Sequence, residues 1–588
     1  MNYLKHTWLF AFFLIVSTSF AQNFNMYYPD NNTLAGYDNA VYDGKSGTYF
    51  LVEYDHDISV DYNAAFHVKQ IDGSGNLINH NYFPSDFAPW SGHYISTIEV
   101  QGKELVIFLN RIIESPFRQE VMVIRIPKSL TGTATSERIY LNTGDNPGYS
   151  HIKVNECVRY GGKIIFTGSV YAQSALNLPA TKGKLLMGII DIDGSIYYDV
   201  FENKDNVIEG LSLLPNPKSG AVFVSCRFAG DETKDVEIPL ILRFRVNDLY
   251  NYFDYVWGRT YPSLRIDISS DYSSYNEGIE VPLIESFTKY NAPAFIARDK
   301  DRENLVFVPF NRITGDQYGT YVRRIIVPKN KELIDAVKLP DTKNGIAVLF
   351  TRKEMYTIVN TESYLVSCKN LYGFFSSARI HFLNSPTYTN ALQARRILLP
   401  GKDKMAIAGL ANRVELPLSG LYRASLMQSN DLSFGCVDSK GLKKPIWLDL
   451  KAAKTPVYKV PFDVSFEDRE MGRYQKIVVT EYDLCLGGKG MIQENTSEEI
   501  NSNMDIIQLT VYPNPATDQI NVLIPETNNG LRTIIIRNIA GEIVFEQEIS
   551  NYEVNVNVNT SALTKGVYIL SVYQNEQILD AKRIIITR

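Results

Sequence analysis

Imidazole side chains are the first candidates for chemistry, because four of the seven histidines lie close together near the N-terminus. The four are His56, His67, His80 and His93. Zinc sites use short ligand spacings, whereas the intervals here are 11, 13 and 13 residues. The pattern favours scattered loop and strand histidines, and we predict no metal site and no cofactor.

Two acidic, glycine-containing segments offer oxygen atoms of the kind that bind Ca²⁺. They are Asp72-Gly73-Ser74-Gly75-Asn76 and Asp191-Ile192-Asp193-Gly194-Ser195. Neither continues into the rest of an EF-hand loop, and both have the residues that tight turns require. We predict hairpin turns at both positions.

An aromatic and acidic stretch follows Val222 and is the best candidate for a binding surface. The candidate ligand-binding residues are Tyr250, Tyr252, Tyr255, Trp257, Tyr272 and Tyr275, accompanied by Asp267, Asp271, Glu277 and Glu280. A loop of this composition on a rigid scaffold could stack sugar rings or dock a partner protein. Tyrosine-rich strands that pack between sheets are the alternative explanation.

Common catalytic motifs are missing from the sequence. It has no Gly-x-Ser-x-Gly elbow, no His-Glu-x-x-His pair, no P-loop and none of the Ser-x-Asp-x-Gly-x-Thr-Trp boxes of sialidase propellers. The two carboxylates of a glycosidase come from distant chain positions and cannot be chosen from one sequence. Catalytic residues therefore stay unassigned.

The composition is that of an ordinary globular protein. The 588 residues include 59 Lys and Arg against 65 Asp and Glu, and 45% are hydrophobic. This balance excludes a disordered chain and a polycation that neutralises nucleic-acid phosphates. The 37 Tyr and 29 Phe residues favour β-structure, because aromatic side chains suit pleated, half-buried surfaces.

A pair of short apolar strands recurs through residues 22–486. The first strand of each pair begins near Tyr49, Leu105, Ile164, Val222, Leu305, Ile346 and Met405, at intervals of 56, 59, 58, 83, 41 and 59 residues. The second strands are predicted at Phe66–Ile71, Val121–Ile126, Leu185–Ile190, Ile241–Val246, Tyr321–Val327, Met355–Val359 and Leu421–Met427. Several second strands end in turn residues, after which a third strand begins.

Seven units of four short strands are what a β-propeller requires, because radial stacking buries both faces of each small sheet. We therefore predict an all-β chain with a propeller of six to eight blades, seven favoured, over residues 22–486. Two or three β-sandwich domains with similar strand spacing are the alternative. Residues 456–486 either complete the ring or form a short hairpin after it.

The N-terminus has the pattern of a secretory signal peptide. Lys5 precedes an apolar run from Trp8 to Val16, which is too short to span a bilayer as a helix. Small residues then lead to a predicted cleavage between Ala21 and Gln22. A membrane anchor or a buried N-terminal helix is the alternative, and we predict no transmembrane segment in the mature chain.

Five cysteines are widely spaced, at positions 157, 226, 368, 436 and 485, with no Cys-x-x-Cys pair. The odd number leaves at least one thiol unpaired, and the spacing supports neither a zinc site nor a thioredoxin-like motif. Export permits disulfides, but a cysteine in an apolar run such as Val222–Cys226 is usually a small buried hydrophobe.

The last part of the chain, residues 506–588, is predicted to be a small β-sandwich. Turn residues separate strands predicted at Gln519–Ile524, Arg532–Asn538, Glu542–Glu548, Glu553–Val558, Gly566–Tyr573 and Ile578–Thr587. Valines and asparagines alternate from Val554 to Val558, as in a sheet with one wet face. The polar stretch before it, residues 487–505, is predicted to be a flexible linker.

Four motifs in this block carry a family resemblance. They are Tyr512-Pro513-Asn514-Pro515, the segment Asn538–Val544 with Gly541, the segment Leu563–Leu570 with Gly566 and Tyr568, and the basic ending from Lys582 to Arg588. The block resembles the type A C-terminal sorting domain of type IX secretion system cargo proteins of Bacteroidetes. A fibronectin-like or immunoglobulin-like accessory module is the alternative.

The resemblance implies export through the periplasm and recognition of the C-terminal domain by the type IX translocon. In that family the domain is typically cleaved, and the cargo is released or attached to the cell surface. The central repeats are similar to the loosely conserved propellers of other type IX cargo proteins, and the nearest match is Ile241–Asp248 followed by Tyr255–Gly258. That similarity identifies no chemistry.

Together these observations favour a secreted or cell-surface propeller that binds a glycan or a protein without catalysis. A polysaccharide-active hydrolase or lyase and a structural or adhesive surface component are the alternatives. We expect no nucleic-acid partner. Clustered, strongly perturbed carboxylates at the centre of the ring would favour catalysis.

Overall fold

The structure is a computed structural model in which two compact units comprise residues Met1–Glu494 and Asn495–Arg588. It describes residues 24–28, 35–55, 65–84, 93–114, 117–142, 148–172, 182–204, 206–229, 237–266, 281–285, 292–299, 304–317, 322–326, 331–338, 346–352, 363–368, 378–382, 392–401, 404–412, 422–429, 439–441, 446–448, 452–473, 475–476, 482–483, 510–512, 516–523, 532–538, 543–549, 555–574 and 577–587. The predicted signal peptide, its cleavage site at Ala21 and Gln22, and the predicted linker at 487–505 lie outside these residues. Both domain boundaries therefore stay predictions.

Short antiparallel sheets make up the described part of the first unit. After β1 (Phe24–Tyr28), sheet one contains β2–β5 (Ala35–Asp43, Thr48–Asp55, Ala65–Ile71, Leu77–Pro84), and sheet two contains β6–β9 (His93–Gln101, Glu104–Glu114, Phe117–Pro127, Thr133–Tyr140). Sheet three contains β10–β13 (His151–Tyr160, Lys163–Ala172, Lys182–Ile190, Ile196–Glu202) and is joined to sheet two by one parallel pair, His151 with Gln119. Sheet four contains β14–β17 (Val207–Asn216, Ala221–Ala229, Glu237–Asn247, Tyr252–Thr260), with one 3₁₀ turn at Pro217–Ser219.

The remaining sheets of this unit follow the same order along the chain. Sheet five contains β18–β22 (Leu264–Arg265, Leu283–Glu285, Pro293–Asp299, Asn304–Pro309, Val322–Ile326), in which β18 and β19 both pair with β20. Sheet six contains β23–β26 (Lys331–Lys338, Ile346–Arg352, Ser363–Cys368, Ala378–Phe382). Sheet seven contains β27–β29 (Leu392–Gly401, Lys404–Asn412, Tyr422–Ser429) and takes β1 as its fourth strand.

The first strands of successive sheets contact one another and close a ring. Contacts join β2 to β6, β6 to β10, β10 to β14, β14 to β19, β19 to β23, β23 to β27 and β27 back to β2. The N-terminal strand fastens the last sheet, since β1 pairs with β29 along its whole length. Over the described residues the seven sheets form a ring as in a β-propeller, which confirms the predicted all-β, propeller fold class, and we call these sheets blades one to seven.

The recurring apolar strands of the sequence are not the innermost strands. Those beginning near Tyr49, Leu105, Ile164, Val222, Ile346 and Met405 are the second strands of their blades. Their apolar runs are nearly continuous because both faces pack against neighbouring blades, as at Leu105–Leu109. The innermost strands carry more polar residues, and this is why the repeat pattern passed over them.

Two of the predicted strand positions need correction. Leu305 lies in β21, the third strand of blade five, because that blade begins with the divided strand β18 and β19. This division explains the irregular intervals of 83 and 41 residues. In blade six the strand that pairs with β24 is β25, Ser363–Cys368, whereas the predicted Met355–Val359 lies outside the described residues.

The described residues between 439 and 483 neither complete the ring nor form a hairpin, and we call them the strap. The strap contains β30–β36 (Ser439–Gly441, Ile446–Leu448, Ala453–Lys454, Tyr458–Val460, Ser465–Arg473, Gln475–Lys476, Tyr482–Asp483). These strands pair in turn with β26, β22, β17, β13, β9, β5 and β1. The strap thus adds an outermost strand to blades six, five, four, three, two, one and seven, in that order.

The second unit is a β-sandwich, as predicted. One sheet has the order β37-β38-β41 (Thr510–Tyr512, Gln519–Leu523, Asn555–Asn559), and the other has the order β40-β39-β42-β43 (Ile543–Ile549, Arg532–Asn538, Gly566–Gln574, Gln577–Ile586). Val556 and Val558 are buried in the shared core whereas Asn557 and Asn559 are exposed. In the parts of the chain that the structure describes, no helix is both long and apolar enough to cross a membrane.

Candidate functional site

The exposed part of the predicted aromatic surface is the turn between β16 and β17. The side chains of Leu249 and Tyr250 are 77% and 68% exposed, and the Tyr250 ring stacks on Tyr252 with centroids 6.4 Å apart and planes 20° apart. Tyr252 is half-buried. The apolar and aromatic side chains at the tip of this turn face solvent.

Asparagines hold the turn in one conformation. The Asn247 Oδ1 atom accepts hydrogen bonds from the backbone N–H groups of Leu249 and Tyr250, both at 3.2 Å. Asn251 has a φ of 54°, in the left-handed region that asparagine tolerates better than most residues. The exposed side chains are therefore presented by a rigid backbone.

The neighbouring turn of blade three supports this turn. The Asp191 Oδ2 atom accepts a hydrogen bond from Asn251 Nδ2 at 2.6 Å, and Lys163 Nζ donates to Asn251 Oδ1 at 2.6 Å. Ile192, next in the chain after Asp191, is 72% exposed. We call Ile192, Leu249 and Tyr250 the turn patch.

The two acidic segments have the geometry of turns. Asp72 accepts hydrogen bonds from the backbone N–H groups of Ser74 and Asn76, at 2.7 and 2.9 Å. Asp191 accepts one from Ile192 N at 2.7 Å, and this bond, together with the one from Asn251, lowers the pKa of the Asp191 carboxyl group. Their carboxylate oxygen atoms accept hydrogen bonds from backbone N–H groups of the turns, in agreement with the prediction of hairpin turns.

Tyr255 and Trp257 lie within the packing of blade four and not on its surface. The buried Trp257 side chain packs against Phe223 and Phe310, and its Nε1 donates to the Arg312 carbonyl oxygen at 3.3 Å. The half-buried Tyr255 hydroxyl donates to the Thr455 carbonyl oxygen at 3.2 Å. Trp257 is buried and Tyr255 is half-buried, and the role of both in ligand binding stays a prediction.

The other residues of that stretch lie outside the described part of the chain. They are Tyr272, Tyr275, Asp267, Asp271, Glu277 and Glu280. Their proposed role in binding stays a prediction.

The structure describes three of the four candidate histidines. His67 and His80 lie on the adjacent strands β4 and β5, both buried, with ring centroids 5.6 Å apart. His93 begins β6, and His56 lies outside the described residues. Within the described ranges, no three His, Cys, Asp or Glu side chains are grouped as metal ligands would be.

Two of the cysteines are described as free, buried thiols. Burial raises the pKa of the Cys157 and Cys226 thiols, so both stay protonated and unreactive at neutral pH. This matches the behaviour of a small buried hydrophobe. Cys436 and Cys485, and the side chain of Cys368, fall outside what the structure describes.

The ring centre contains a polar set that sequence reasoning missed. Six innermost strands have a β-bulge immediately before a polar residue: Asn39, Thr97, Glu156, Ser212, Asp335 and Arg396. A polar residue at one bulged position of each innermost strand is the signal that could have identified this set. Recognising it requires that the innermost strands be located first.

These residues tie each blade to the next one. Side-chain oxygens accept backbone N–H groups across blades: Thr97 from Cys157 at 3.2 Å, Glu156 from Leu213 at 2.5 Å, Ser212 from Leu283 at 3.2 Å and Asp335 from Ile397 at 2.9 Å. In blade one, Asn39 Nδ2 instead donates to the Ser96 carbonyl oxygen at 2.9 Å. The polar residues are therefore part of a repeated inter-blade bond.

Arg396 connects two buried acids across the ring. Its guanidinium group lies 3.9 Å from Glu156 Oε1 of blade three and 3.8 Å from Asp335 Oδ2 of blade six. Burial raises the pKa of Glu156 to about 7 and also raises the pKa of Asp335. Burial likewise raises the pKa of Glu99, which lies nearby on β6.

An acid that titrates near pH 7 beside a second carboxyl group has the properties of a general acid or base. At this position, however, carboxyl oxygen atoms already accept hydrogen bonds from the protein backbone. Asp335 accepts backbone N–H groups with both oxygens, from Ala336 at 2.8 Å and from Ile397 at 2.9 Å. Glu156 likewise accepts the Leu213 backbone N–H group, so both acids take part in the bonds between blades.

Residues 510–587 match the family model described as the secretion system C-terminal sorting domain. The chain therefore carries a type IX sorting domain, which directs it to the cell surface or into the medium. Gly566 begins β42, Tyr568 is buried in the sandwich core, and Lys582 lies on β43 opposite Leu570. Pro513, Asn514, Pro515 and Gly541 lie outside the described residues.

Comparison with curated proteins gives no match. Among solved structures, a point variant of an ACO/RPE65 chimera is 11% identical with a TM-score of 0.28, and the match covers 48% of this chain and 60% of that one, less than two thirds of its length. A GH43 β-1,3-galactosidase bound to galactodeoxynojirimycin is 10% identical with a TM-score of 0.28, covering 50% and 88%. An exo-β-1,3-galactanase from Clostridium thermocellum is 10% identical with a TM-score of 0.27, covering 78% and 86%. Similarity at this level carries no argument about activity.

Proposed function

We propose that the propeller is a non-catalytic binding module, exported by the type IX secretion system, that recognises its ligand through the turn patch. The observation that carries the proposal is the exposure of Ile192, Leu249 and Tyr250 on two turns that are bonded to each other. Large apolar side chains held rigidly at a surface bind at low entropic cost, because little conformational freedom remains to be lost.

A protein surface is the favoured ligand and a glycan is the second candidate. Two of the three side chains in the patch are aliphatic, and aliphatic side chains suit the apolar centre of a protein interface. Sugar recognition would depend on the face of Tyr250 alone. A purely structural or adhesive role would use the same surface without a discrete ligand.

A polysaccharide-active hydrolase or lyase is the alternative from a different class. The raised pKa of Glu156 favours it, because a carboxyl group that titrates near 7 can act as an acid or a base. The backbone bonds of Glu156 and Asp335 oppose it. Equivalent bonds are made by Thr97 and Ser212, residues that could not replace a catalytic acid.

The test is a comparison of Leu249→Asp with Ile313→Asp in the full mature chain. Ile313 is 75% exposed on a turn of blade five with the same hydrogen bonds, from Ile313 N and Thr314 N to Asn311 Oδ1. Surface proteins and a polysaccharide panel are each presented to the immobilised wild type and both variants, and bound material is quantified.

We expect a ligand that binds the wild type and Ile313→Asp equally and binds Leu249→Asp at least about tenfold more weakly, as when an interface anchor is lost. Equal loss in both variants, or no loss in Leu249→Asp, would refute the turn patch as the binding surface. A ligand found only in the polysaccharide panel would show that the ligand is a glycan and not a protein.

A further inference from the structure

The strap runs along the outer edge of every blade. Its seven strands pair with the outermost strands of all seven blades, and the described part of each blade has no other partner on that side. An outermost β-strand without a partner exposes a row of backbone N–H and C=O groups that can pair with another chain. The strap therefore covers the surface of this propeller that is most prone to self-association.

The ring is closed without the strap. Strand β1 fastens blade seven by pairing with β29, and the inter-blade bonds of Thr97, Glu156, Ser212 and Asp335 lie on the innermost strands. The strap contacts the opposite side of each sheet. The hydrogen bonds between the innermost strands are thus separate from the strand pairs that dock the strap.

Most strap strands are short. Pairing extends over only two or three residues at β30, β31, β32, β33, β35 and β36. The exception is β34, Ser465–Arg473, in which seven of the nine residues pair with β9 and the register shifts between Glu470 and Arg473. Pairings of two or three residues have few hydrogen bonds and separate readily.

Among the strap side chains that the structure describes, several contact blades three and four. Val457 is buried in the core between these blades, and Thr455 N donates to the Gly258 carbonyl oxygen at 3.1 Å. The Tyr198 hydroxyl donates to the Phe462 carbonyl oxygen at 3.1 Å and accepts from Val464 N at 2.9 Å. Val457 is the apolar anchor of this section.

We propose that the strap is a latch that docks onto an already closed ring and keeps the exported protein monomeric by capping the outer edges of its blades. When the latch is lifted, the uncapped edges pair with a second copy of this chain. The interaction surface is the set of seven outer blade edges. The strap covers these edges in the monomer, and a second copy of this chain pairs with them when the strap is displaced. This inference does not depend on the ligand or on the turn patch.

The experiment uses the full chain with Val457→Asp, which places a carboxylate in an apolar core, and with Tyr458→Asp as the control. Tyr458 is the next residue of the strap and its side chain is 52% exposed. Hydrogen exchange detected by mass spectrometry compares strap peptides with peptides from β3, β7 and β11. Light scattering after gel filtration measures the mass over a range of concentrations.

For Val457→Asp we expect strap amides to exchange about tenfold faster or more while the second-strand amides keep their protection, and the mass to rise with concentration. Tyr458→Asp should remain monomeric with a protected strap. Loss of protection in the ring together with the strap would overturn the latch, as would a lifted strap on a protein that stays monomeric.

A disulfide lock covers the case in which Val457→Asp does not fold. Val200 and Val460 are paired residues of β13 and β33, so the double variant Val200→Cys, Val460→Cys can join strap and ring. In mild denaturant the wild type and the reduced variant should form oligomers, while the oxidised variant stays monomeric. Oligomers that form equally with the lock closed would overturn the proposal.

Discussion

Glu156 lies where the inter-blade bonds and the ion pairs of the ring centre meet. It accepts the Leu213 backbone N–H group and faces the Arg396 guanidinium group. Burial is the largest influence on its pKa, which rises from 4.5 to about 7, with Arg396 opposing the rise and Asp335 adding to it. The folded protein therefore binds this proton more tightly than the unfolded chain does.

The free energy of folding therefore depends on pH through the Glu156 carboxyl group. With respect to Glu156, folding is most favourable below pH 4.5 and becomes less favourable as the pH rises from about 4.5 to 7. Glu156→Gln keeps an acceptor for Leu213 N and removes the titration. We expect the variant to gain about 2 kcal/mol relative to wild type between pH 5 and pH 8, measured by urea unfolding.

The control for this prediction is Glu467→Gln. Glu467 is an exposed acid that pairs with Arg138 at 2.8 Å. Its effect on the free energy of unfolding should change little between pH 5 and pH 8. The account of Glu156 is contradicted when Glu156→Gln shifts stability equally at both pH values.

Close approach of neighbouring strands within a blade depends on glycine at specific positions. A Cβ atom on Gly168 would lie 1.9 Å from the Lys153 carbonyl oxygen, a backbone atom that cannot move aside without disturbing β10. Gly168→Ala should lower the free energy of unfolding by about 2–4 kcal/mol. Gly401→Ala, where no atom lies within 4 Å of the new carbon, should stay within about 0.5 kcal/mol in the same unfolding experiment. Equal effects of the two substitutions would contradict this packing.

Among the strands, β1 and β35 occupy opposite kinds of position. Strand β1 lies between β29 and β36, whereas β35 is the outermost strand on blade one. Proline removes a backbone donor and is tolerated mainly at sheet edges. We expect Tyr27→Pro to lower the melting temperature by about 5 °C or more and Lys476→Pro to lower it by about 2 °C or less. The reverse order would show that β1 does not fasten the ring.

The strands that could be predicted from the sequence are those with a simple burial pattern. Second strands such as β7 are apolar on both faces, and the sandwich strands around Val556 and Val558 alternate cleanly, so both types stand out. The innermost strands were missed because Glu156 and Asp335 interrupt their apolar pattern. The path of the strap was not predicted, because six of its seven strands have only two or three residues, too few to show a periodicity.

The candidate site was predicted less well than the fold. Tyr250 lies on the surface as expected, but Trp257, only seven residues later on the next strand, is buried. Alternation along β17 and packing against blade five decide that difference, and neither can be read from composition. Ile192 joins the turn patch only because the ring brings blades three and four together, across a distance in sequence that no local pattern spans.

At the scale of the whole molecule, the chain combines a sorting domain with a ring whose central acids, Glu156 and Asp335, accept hydrogen bonds from neighbouring blades. The sorting domain at 510–587 accounts for where the protein goes. The ring accounts for how two distant turns form one exposed surface. The same fold supports both enzymes and binding proteins, so the distinction rests on the centre and not on the architecture.

The most direct test of that distinction is product analysis. The full mature chain and its Glu156→Gln variant are incubated with a polysaccharide panel, and released oligosaccharides are separated and quantified. The binding account predicts no product above a protein-free control for either protein. Oligosaccharides released by the wild type and reduced about a hundredfold or more in Glu156→Gln would contradict it and establish the ring centre as an active site.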